Sequence, residues 1–123
     1  MKLKGIGVDI VKNKRIYNIF KKYKIKFAKK ILNSNELKIF KKKKNKIFFL
    51  AKSFAAKEAV AKSLGTGFRN DICFKNIEIK KNKFGCPKIK INIDNIKKKY
   101  KTYISISHEK KLTIAFAIII EKN

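Results

Sequence analysis

The first segment with a clear pattern runs from Leu3 to Val11, where apolar side chains alternate with small or polar ones. This alternation is typical of a β-strand. One face of the strand is apolar and the other is rich in glycine: Ile6, Val8 and Ile10 against Gly5, Gly7 and Asp9. Glycines inside a strand often mark a place where another backbone or a ligand approaches closely. We therefore expect a close neighbour on the face that carries Asp9.

Helical periodicity follows this strand. A helix is predicted from about Asn13, and residues 27–32 supply a further helical turn or two. Asn33 and Glu36 have the spacing of a capping box, which predicts a short helix from there through Phe40. The connection that follows, residues 41–46, is almost entirely lysine.

The longest predicted helix covers residues 46–64 and is followed by Gly65, a residue type common at helix C-termini. Glu58 lies in this helix, and positions three, four and seven residues away share its face. Those positions are mostly small or apolar: Ala51, Phe54, Ala55, Ala61, Lys62 and Gly65. An ionised carboxylate on such a face needs a compensating cation, metal or hydrogen-bond donor.

The second half of the chain is predicted to be mainly β-structure. Residues 77–80 and 88–93 alternate as strands around a hairpin signal at 82–87, and 93–100 suggest a short basic helix. The segments 103–107 and 112–120 are predicted to form a closing hairpin. Since 112–120 is apolar on both faces, we expect it in the middle of a sheet. The predicted class is α+β, with a mainly antiparallel sheet packed against one long helix in a single domain, residues 1–123.

Composition limits the possible functions. Lys and Arg number 34 against eight Asp and Glu, a formal net charge of +26, and Arg15 and Arg69 are the arginines. The excess favours anionic ligands and acidic partners. An RNA-binding protein is one alternative, yet an RRM-type aromatic motif, a GxxG clamp and an arginine-rich arm are missing, so nucleic acid is not the expected partner.

The sequence also argues against a membrane protein or a secreted protein. The longest strongly apolar run, 114–120, is far shorter than the ~20 residues of a membrane span. Asp9 lies where the apolar region of a signal peptide would be. Cys73 and Cys86 lack metal-type spacing, so we expect reduced thiols in a cytoplasmic protein, with Cys73 in the core.

Two carboxylates in unusual surroundings suggest a metal site. Asp9 is on the glycine face of the first strand and Glu58 on the small-residue face of the long helix, so strand and helix can pack closely. If the carboxylates converge, their like charges demand a cation, and hard oxygen ligands suit Mg²⁺. Two alternatives stay open here: that they never meet, or that Glu58 simply pairs with Lys62 one turn away, worth ~0.3–0.5 kcal/mol.

Three motifs together resemble one family. They are Gly5-Ile-Gly-Val-Asp9, Phe54-Ala-Ala-Lys-Glu-Ala-Val-Ala-Lys62 with the following Ser63-Leu-Gly-Thr-Gly67, and Ser105-Ile-Ser-His108. The chain resembles the holo-[acyl-carrier-protein] synthases, small 4′-phosphopantetheinyl transferases, over nearly its whole length. The resemblance implies transfer of phosphopantetheine from coenzyme A to a serine of apo acyl carrier protein, with release of 3′,5′-ADP, in support of fatty acid biosynthesis.

The resemblance also implies roles for single residues. Asp9 and Glu58 would hold Mg²⁺, Lys62 would face the diphosphate, and Gly65 with Thr66 would line the coenzyme pocket. His108 would contact a coenzyme phosphate, although an isolated histidine at a turn is more often a solvated residue. Arg15 would help to dock the acidic carrier protein, unless it is an arginine retained by chance. A homotrimer with sites between subunits is implied, to which residues 41–46 of a neighbour contribute.

Two positions depart from the family pattern. Ser53 occupies a place where the family usually has arginine, and Cys86 one where it commonly has lysine. Both changes are expected to weaken contacts with the coenzyme phosphates, with nearby lysines as substitutes. A non-catalytic relative that only binds an acidic protein is therefore a third hypothesis, and titration with coenzyme A, with and without Mg²⁺, separates all three.

Overall fold

The computed structural model describes residues 1–65 and 72–123. Its first half contains one strand and four helices: β1 (Lys2–Lys12), α1 (Asn13–Tyr23), α2 (Ile25–Ile31), α3 (Ser34–Lys42) and α4 (Lys46–Ser63). After a short 3-10 helix (Phe74–Asn76) come β2 (Ile77–Lys81), β3 (Pro87–Ile91), α5 (Asp94–Lys99), β4 (Tyr100–His108) and β5 (Leu112–Glu121). The predicted α+β class is confirmed, and the long helix ends within one residue of its predicted boundary.

The strands form two antiparallel sheets. The larger sheet has the order β1-β5-β4, and β2 pairs with β3 in a separate two-stranded sheet. The prediction that the apolar last strand is central is confirmed, since β5 pairs with β1 on one side and β4 on the other. Helix α4 packs across one face of this sheet, against the buried residues Ala115 and Ala117 of β5.

Glycines in β1 allow α4 to approach the sheet. A methyl group added at Gly5 would overlap the carbonyl oxygen of Ser63, and one added at Gly7 would overlap that of Ala59. Because these obstacles are backbone atoms, they cannot move aside without shifting the helix. The close neighbour expected on the glycine face of β1 is therefore the backbone of α4, and alanine at either position would force strand and helix apart.

A buried ion pair connects α3 to α4. Lys57 is fully buried, and its Nζ donates hydrogen bonds to Glu36 Oε1 at 2.6 Å and to the carbonyl oxygen of Ile31 at 2.7 Å. Glu36 also completes the predicted capping box with Asn33, and its Oε2 accepts a hydrogen bond from the backbone N–H of Ile79 in β2. Burial lowers the pKa of Lys57, and the charge of Glu36 opposes this change. The pair thus joins two helices and a strand.

Two local predictions have different outcomes. Gly65 has φ +78° and its N–H bonds to the carbonyl oxygen of Lys62, so the predicted glycine stop of the long helix is confirmed. The prediction that Cys73 lies in the core is wrong: the residue is exposed just before the 3-10 helix, where Asn76 Oδ1 accepts hydrogen bonds from its backbone and thiol.

In the described part of the chain, no helix has the length and apolar character needed to cross a membrane.

Candidate active site

The close packing of β1 against α4 brings together two of the side chains identified in the sequence. Asp9 follows the two glycines on the same face of β1, and its side chain is 15% exposed. The ammonium of Lys62, in the last turn of α4, donates hydrogen bonds to Asp9 Oδ1 at 3.1 Å and to the carbonyl oxygen of Val8 at 3.0 Å. The site therefore lies where the C-terminal part of α4 crosses β1.

Glu58 lies one helical turn before Lys62, and its electrostatic surroundings include Asp9. Burial raises the pKa of Glu58, the charge of Asp9 raises it further, and the charges of Lys62 and Arg15 oppose both. No ion pair of Glu58 is found among residues 1–65 and 72–123, where Lys62 instead pairs with Asp9. The structure therefore does not contain the simple i, i+4 ion pair between Glu58 and Lys62.

The donor set fits a hard divalent cation. Two carboxylates that repel each other, one of them partly desolvated, hold negative charge that a dication would offset. In the described part of the chain no third His, Cys, Asp or Glu joins them in a metal-binding group. Asp9 and Glu58 could therefore supply two oxygen ligands, and water and substrate oxygens would supply the others, as is usual for Mg²⁺.

The raised pKa of Glu58 predicts a pH-dependent stability. Since folding disfavours its ionised form, Glu58 destabilises the metal-free protein above the ordinary carboxylate pKa of 4.5, and the penalty vanishes below that pH. Glu58→Gln is expected to raise the melting temperature at pH 7 without divalent metal, and this gain should disappear by pH 4. Calorimetric melting beside Glu121→Gln, a control at the end of β5, tests this. A melting temperature of Glu58→Gln at or below that of the unchanged protein at pH 7 would contradict it.

His108 lies away from the two carboxylates within one chain. Its ring packs against that of Phe48, with centroids 4.0 Å apart and the planes tilted by 39°, at the N-terminal end of α4. Phe48 precedes Glu58 by about three helical turns, roughly 15 Å along the axis. Asn45, which caps α4, is in the same region, next to the lysine-rich connection. A single chain thus carries two separate groups of candidate residues, at the two ends of α4.

The remaining residues named in the sequence analysis lie on α1, within α4 and at its C-terminal end. Arg15 is exposed on α1, its guanidinium lies 5.8 Å from the ring centroid of Phe54, and its charge acts on Glu58. Gly65 is exposed at the end of α4, and Thr66 falls outside the described residues, as does Arg69. Ser53 is buried, and its hydroxyl donates to the carbonyl oxygen of Phe49.

Sequence reasoning missed one pair that supports the site. Lys57 directly precedes Glu58, about 100° around the helix, and its buried bond to Glu36 fixes the rotation of α4. The signal was present in part, because the residues three and four positions from Lys57 on its helix face are all small or apolar: Ser53, Phe54, Val60 and Ala61. The partner, 21 residues earlier, had no such signal beyond its capping role.

Comparison with known proteins identifies the relatives of this chain. Residues 5–117 match the family model described as the 4′-phosphopantetheinyl transferase superfamily. The holo-[acyl-carrier-protein] synthase of Pelagibacter ubique is 41% identical over 131 residues, covering 99% of this chain and 100% of that protein.

Solved structures of similar proteins have the same fold. The crystal structure of holo-[acyl-carrier-protein] synthase from Neisseria meningitidis superposes with a TM-score of 0.89 at 35% identity, covering 96% of this chain and 98% of that one. The Bacillus anthracis holo-(acyl-carrier-protein) synthase, in complex with CoA (3′,5′-ADP), superposes with a TM-score of 0.86 at 31% identity, covering all of both chains.

Proposed function

Because this chain belongs to the 4′-phosphopantetheinyl transferase superfamily and to its holo-[acyl-carrier-protein] synthases, we propose that it uses Mg²⁺ to transfer phosphopantetheine from coenzyme A to a serine of apo acyl carrier protein. The new bond joins the serine oxygen to phosphorus, the diphosphate P–O bond breaks, and 3′,5′-ADP leaves while the hydroxyl proton passes to a base. The observation that carries the proposal is the group formed by Asp9, Glu58 and Lys62.

Each member of this group has a distinct role. Asp9 and Glu58 would hold the metal, which when bound would neutralise and orient the diphosphate. Lys62 has a half-exposed side chain, so its ammonium can face a diphosphate as well as Asp9. The divalent metal and Lys62 would together place three positive charges around the leaving group. These charges would favour the transition state, in which negative charge builds up on the departing phosphate.

The coenzyme extends from this group along the protein. Gly65 and Thr66 are proposed to line its pocket beyond the end of α4, and His108 to contact one of its phosphates. The match to the Bacillus anthracis protein, whose structure holds CoA, supports coenzyme A as the ligand. The diphosphate, two strongly charged groups, gives the basic surface of this chain an anionic partner.

The acidic carrier protein is proposed to dock on α1. This helix carries Arg15 on its exposed surface and has two lysines in its last turn, and no acidic residue lies in its first turn. Arg15 acts electrostatically on Glu58, so a carrier protein bound at α1 would hold its serine near the metal site. Such an encounter is steered by charge and should slow as salt screens it over ~8 Å at physiological ionic strength.

A homotrimer is proposed from the free face of the larger sheet. Ile6, Val8 and Ile10 of β1 are 60%, 50% and 58% exposed, and Ile114 and Phe116 of β5 extend the same apolar surface. Contiguous apolar patches of this kind mark association sites. Assembly would also let His108 and residues 41–46 of one subunit meet the Asp9–Glu58 group of another. Within a single chain these two regions lie at opposite ends of α4, so a site that uses both would need two subunits.

The assembly proposal predicts the effect of a charge on this face. Val8→Glu should convert a trimer into monomers, because three buried carboxylates would face one apolar interface. Sedimentation equilibrium at moderate salt, which screens the high positive charge, gives the mass. Lys4→Gln lowers the net charge by the same one unit at an exposed position near the start of β1 and serves as a control. A monomeric unchanged protein, or a trimer of Val8→Glu, would overturn the proposal.

Lys62 is predicted to contribute mainly to coenzyme binding. Lys62→Ala removes a cation from the diphosphate and should weaken coenzyme A binding by about tenfold, which corresponds to ~1.4 kcal/mol. Titration calorimetry in the presence of Mg²⁺ measures this, with Lys38→Ala, an exposed lysine of α3, as control. Equal affinities of Lys62→Ala and the unchanged protein would remove this role from Lys62.

The function itself is tested by mass spectrometry. Purified protein, coenzyme A and an apo acyl carrier protein are incubated with Mg²⁺ or with a chelator, and the intact mass of the carrier protein is followed. The expected result is an added phosphopantetheine mass with Mg²⁺ and none with the chelator. Coenzyme A binding without any transfer would instead support the non-catalytic relative.

A further inference from the structure

The turn between β4 and β5 is bound by Asn13, the first residue of α1. The backbone N–H of Asn13 donates a hydrogen bond to the carbonyl oxygen of Lys111 at 2.9 Å. Its side-chain Nδ2 donates to the carbonyl oxygens of Glu109 at 3.3 Å and of Lys110 at 3.2 Å. Three consecutive carbonyl oxygens of the turn therefore accept hydrogen bonds from one residue of another element.

A fourth bond fixes the orientation of the Asn13 amide. Its Oδ1 accepts a hydrogen bond of 2.7 Å from the hydroxyl of Thr113, a fully buried residue of β5. The opposite orientation of the amide would set its oxygen against two carbonyl oxygens, which have no hydrogen to donate. Asn13 therefore has one bonded orientation, in which it connects the turn to the buried face of β5.

The side chain of Asn13 serves the turn rather than the helix that it begins. Asparagine near a helix start often caps the helix with its own side chain. In α1 the N-cap position belongs to Lys12 instead. The turn, in contrast, needs a donor and an acceptor at the place of Asn13, and an asparagine amide supplies both. The residue type is therefore explained by what it holds across the fold.

This turn sets the position of His108, which is the last residue of β4. The exposed side chain of His108 packs against Phe48 of α4, with ring centroids 4.0 Å apart. A cavity of about 360 Å³ lies at this contact, and its lining residues are Asn13, Asn45, Phe48, His108, Glu109 and Lys110. Asn13 and His108 thus belong to the wall of one cavity and are connected through the turn.

We propose that Asn13 is a positioning residue for His108 and, through it, for coenzyme A. The inference rests on the phosphate contact proposed above for His108. By binding the turn, Asn13 keeps the imidazole against Phe48 before the coenzyme arrives. Without the Asn13 side chain, two carbonyl oxygens of the turn would bond to water, and the imidazole would have to be ordered at the moment of binding. Preorganisation of this kind strengthens binding without a new contact.

The position of the ring can be measured by NMR, because His108 is the one histidine of the chain. Untagged protein with ¹³C-labelled histidine, without coenzyme, should show a nuclear Overhauser effect between the ring protons of His108 and Phe48, which Phe48→Leu assigns by removing it. Asn13→Ala is expected to abolish most of this signal. Thr113→Val should weaken it less, because the bonds from Nδ2 to the turn remain. Asn18→Ala, at an exposed asparagine of α1, is the matched control and should leave it unchanged.

Asn13→Asp separates a role in the turn from a role in starting α1. A carboxylate in the first turn of a helix interacts favourably with the helix dipole, so the melting temperature should be kept or raised. A carboxylate has no hydrogen to donate to the carbonyl oxygens of residues 109 and 110, so the ring signal should be lost as in Asn13→Ala. An aspartate variant that keeps the ring signal would overturn the inference, since the amide donors would then be dispensable.

Titration calorimetry with coenzyme A and Mg²⁺ measures the consequence for binding. Asn13→Ala should weaken binding by about threefold to tenfold, the effect of having to order one side chain. The rate of transfer at saturating coenzyme A should not change, because the Asp9–Glu58 group lies at the other end of α4. In a His108→Ala background the same substitution should have no further effect on affinity. An equal loss of affinity in both backgrounds would contradict action through His108.

Failure of the proposed function gives a different result. A His108→Ala protein that binds coenzyme A as tightly as the unchanged protein would remove the phosphate contact from His108. The ring signal, which needs no coenzyme, would still decide whether Asn13 positions the imidazole. An unchanged His108–Phe48 signal in Asn13→Ala would overturn the inference whether or not the transferase function holds.

Discussion

Glu58→Gln is expected to lower the rate of phosphopantetheine transfer by about 10³-fold. The substitution keeps the shape of the side chain and removes its charge, which leaves Asp9 as a single anionic ligand for Mg²⁺. Metal stabilisation of a diphosphate leaving group is worth several kcal/mol, and each 1.36 kcal/mol corresponds to a tenfold rate. The measurement is the initial rate of holo carrier protein formation, followed by intact mass at saturating coenzyme A and Mg²⁺.

Controls separate this loss from misfolding. Glu121→Gln removes a carboxylate of the same type from the end of β5 and should retain the rate. Asp9→Asn should resemble Glu58→Gln, and the double variant should be little worse than either, because ligands of one metal act as a unit. A Glu58→Gln protein that keeps a tenth or more of the rate would show that the carboxylate pair is not the metal site.

Lys57→Met is expected to reduce the free energy of unfolding by about 3–5 kcal/mol. Methionine fills much of the volume but leaves the buried carboxyl group of Glu36 without its cation, and the carbonyl oxygen of Ile31 loses a donor. Domains of this size have about 5–15 kcal/mol of stability in total, so the variant should be close to unfolding. Urea denaturation followed by circular dichroism measures the change.

Two further variants interpret the result. Lys38→Met, at an exposed position of α3, should change stability by less than about 0.5 kcal/mol. Glu36→Gln retains hydrogen-bonding groups for the cap and for Ile79 but loses its charge, so it should destabilise the protein by leaving Lys57 unpaired. A loss below about 1 kcal/mol for Lys57→Met would mean that the pair is hydrated and that α3 is held by its apolar contacts alone.

How well a feature could be predicted depends on how far apart along the chain its interacting residues lie. Strand alternation, the capping box at Asn33 and the glycine after α4 involve residues a few positions apart, and each was found as predicted. The position of β5 followed from its apolar residues on both faces. The division of the strands into two sheets did not follow, because no local pattern states which hairpin pairs with which.

The candidate site was only half contained in the sequence. Glu58 stood out because a carboxylate on an alanine-rich helix face is costly, and Asp9 stood out on the glycine face of the first strand. That the two act together as metal ligands came from the resemblance to a family. The role of Lys62 as the cation of Asp9 required the crossing of β1 and α4. Lys52 illustrates the limit, since burial and the lysines at positions 81 and 43 lower its pKa, and only folding brings these groups together.

By itself, the sequence determined the helix and strand segments, the α+β class and a carboxylate in need of compensation, because these depend on side chains separated by a few residues. The tertiary structure decided which groups surround each buried or crowded charge: Asp9 adds its like charge to Glu58, Glu36 pairs with Lys57, and Lys81 and Lys43 add their like charges to Lys52. The reason is physical. The energy of a charge depends on every group within several ångströms, and those groups come from distant parts of the chain.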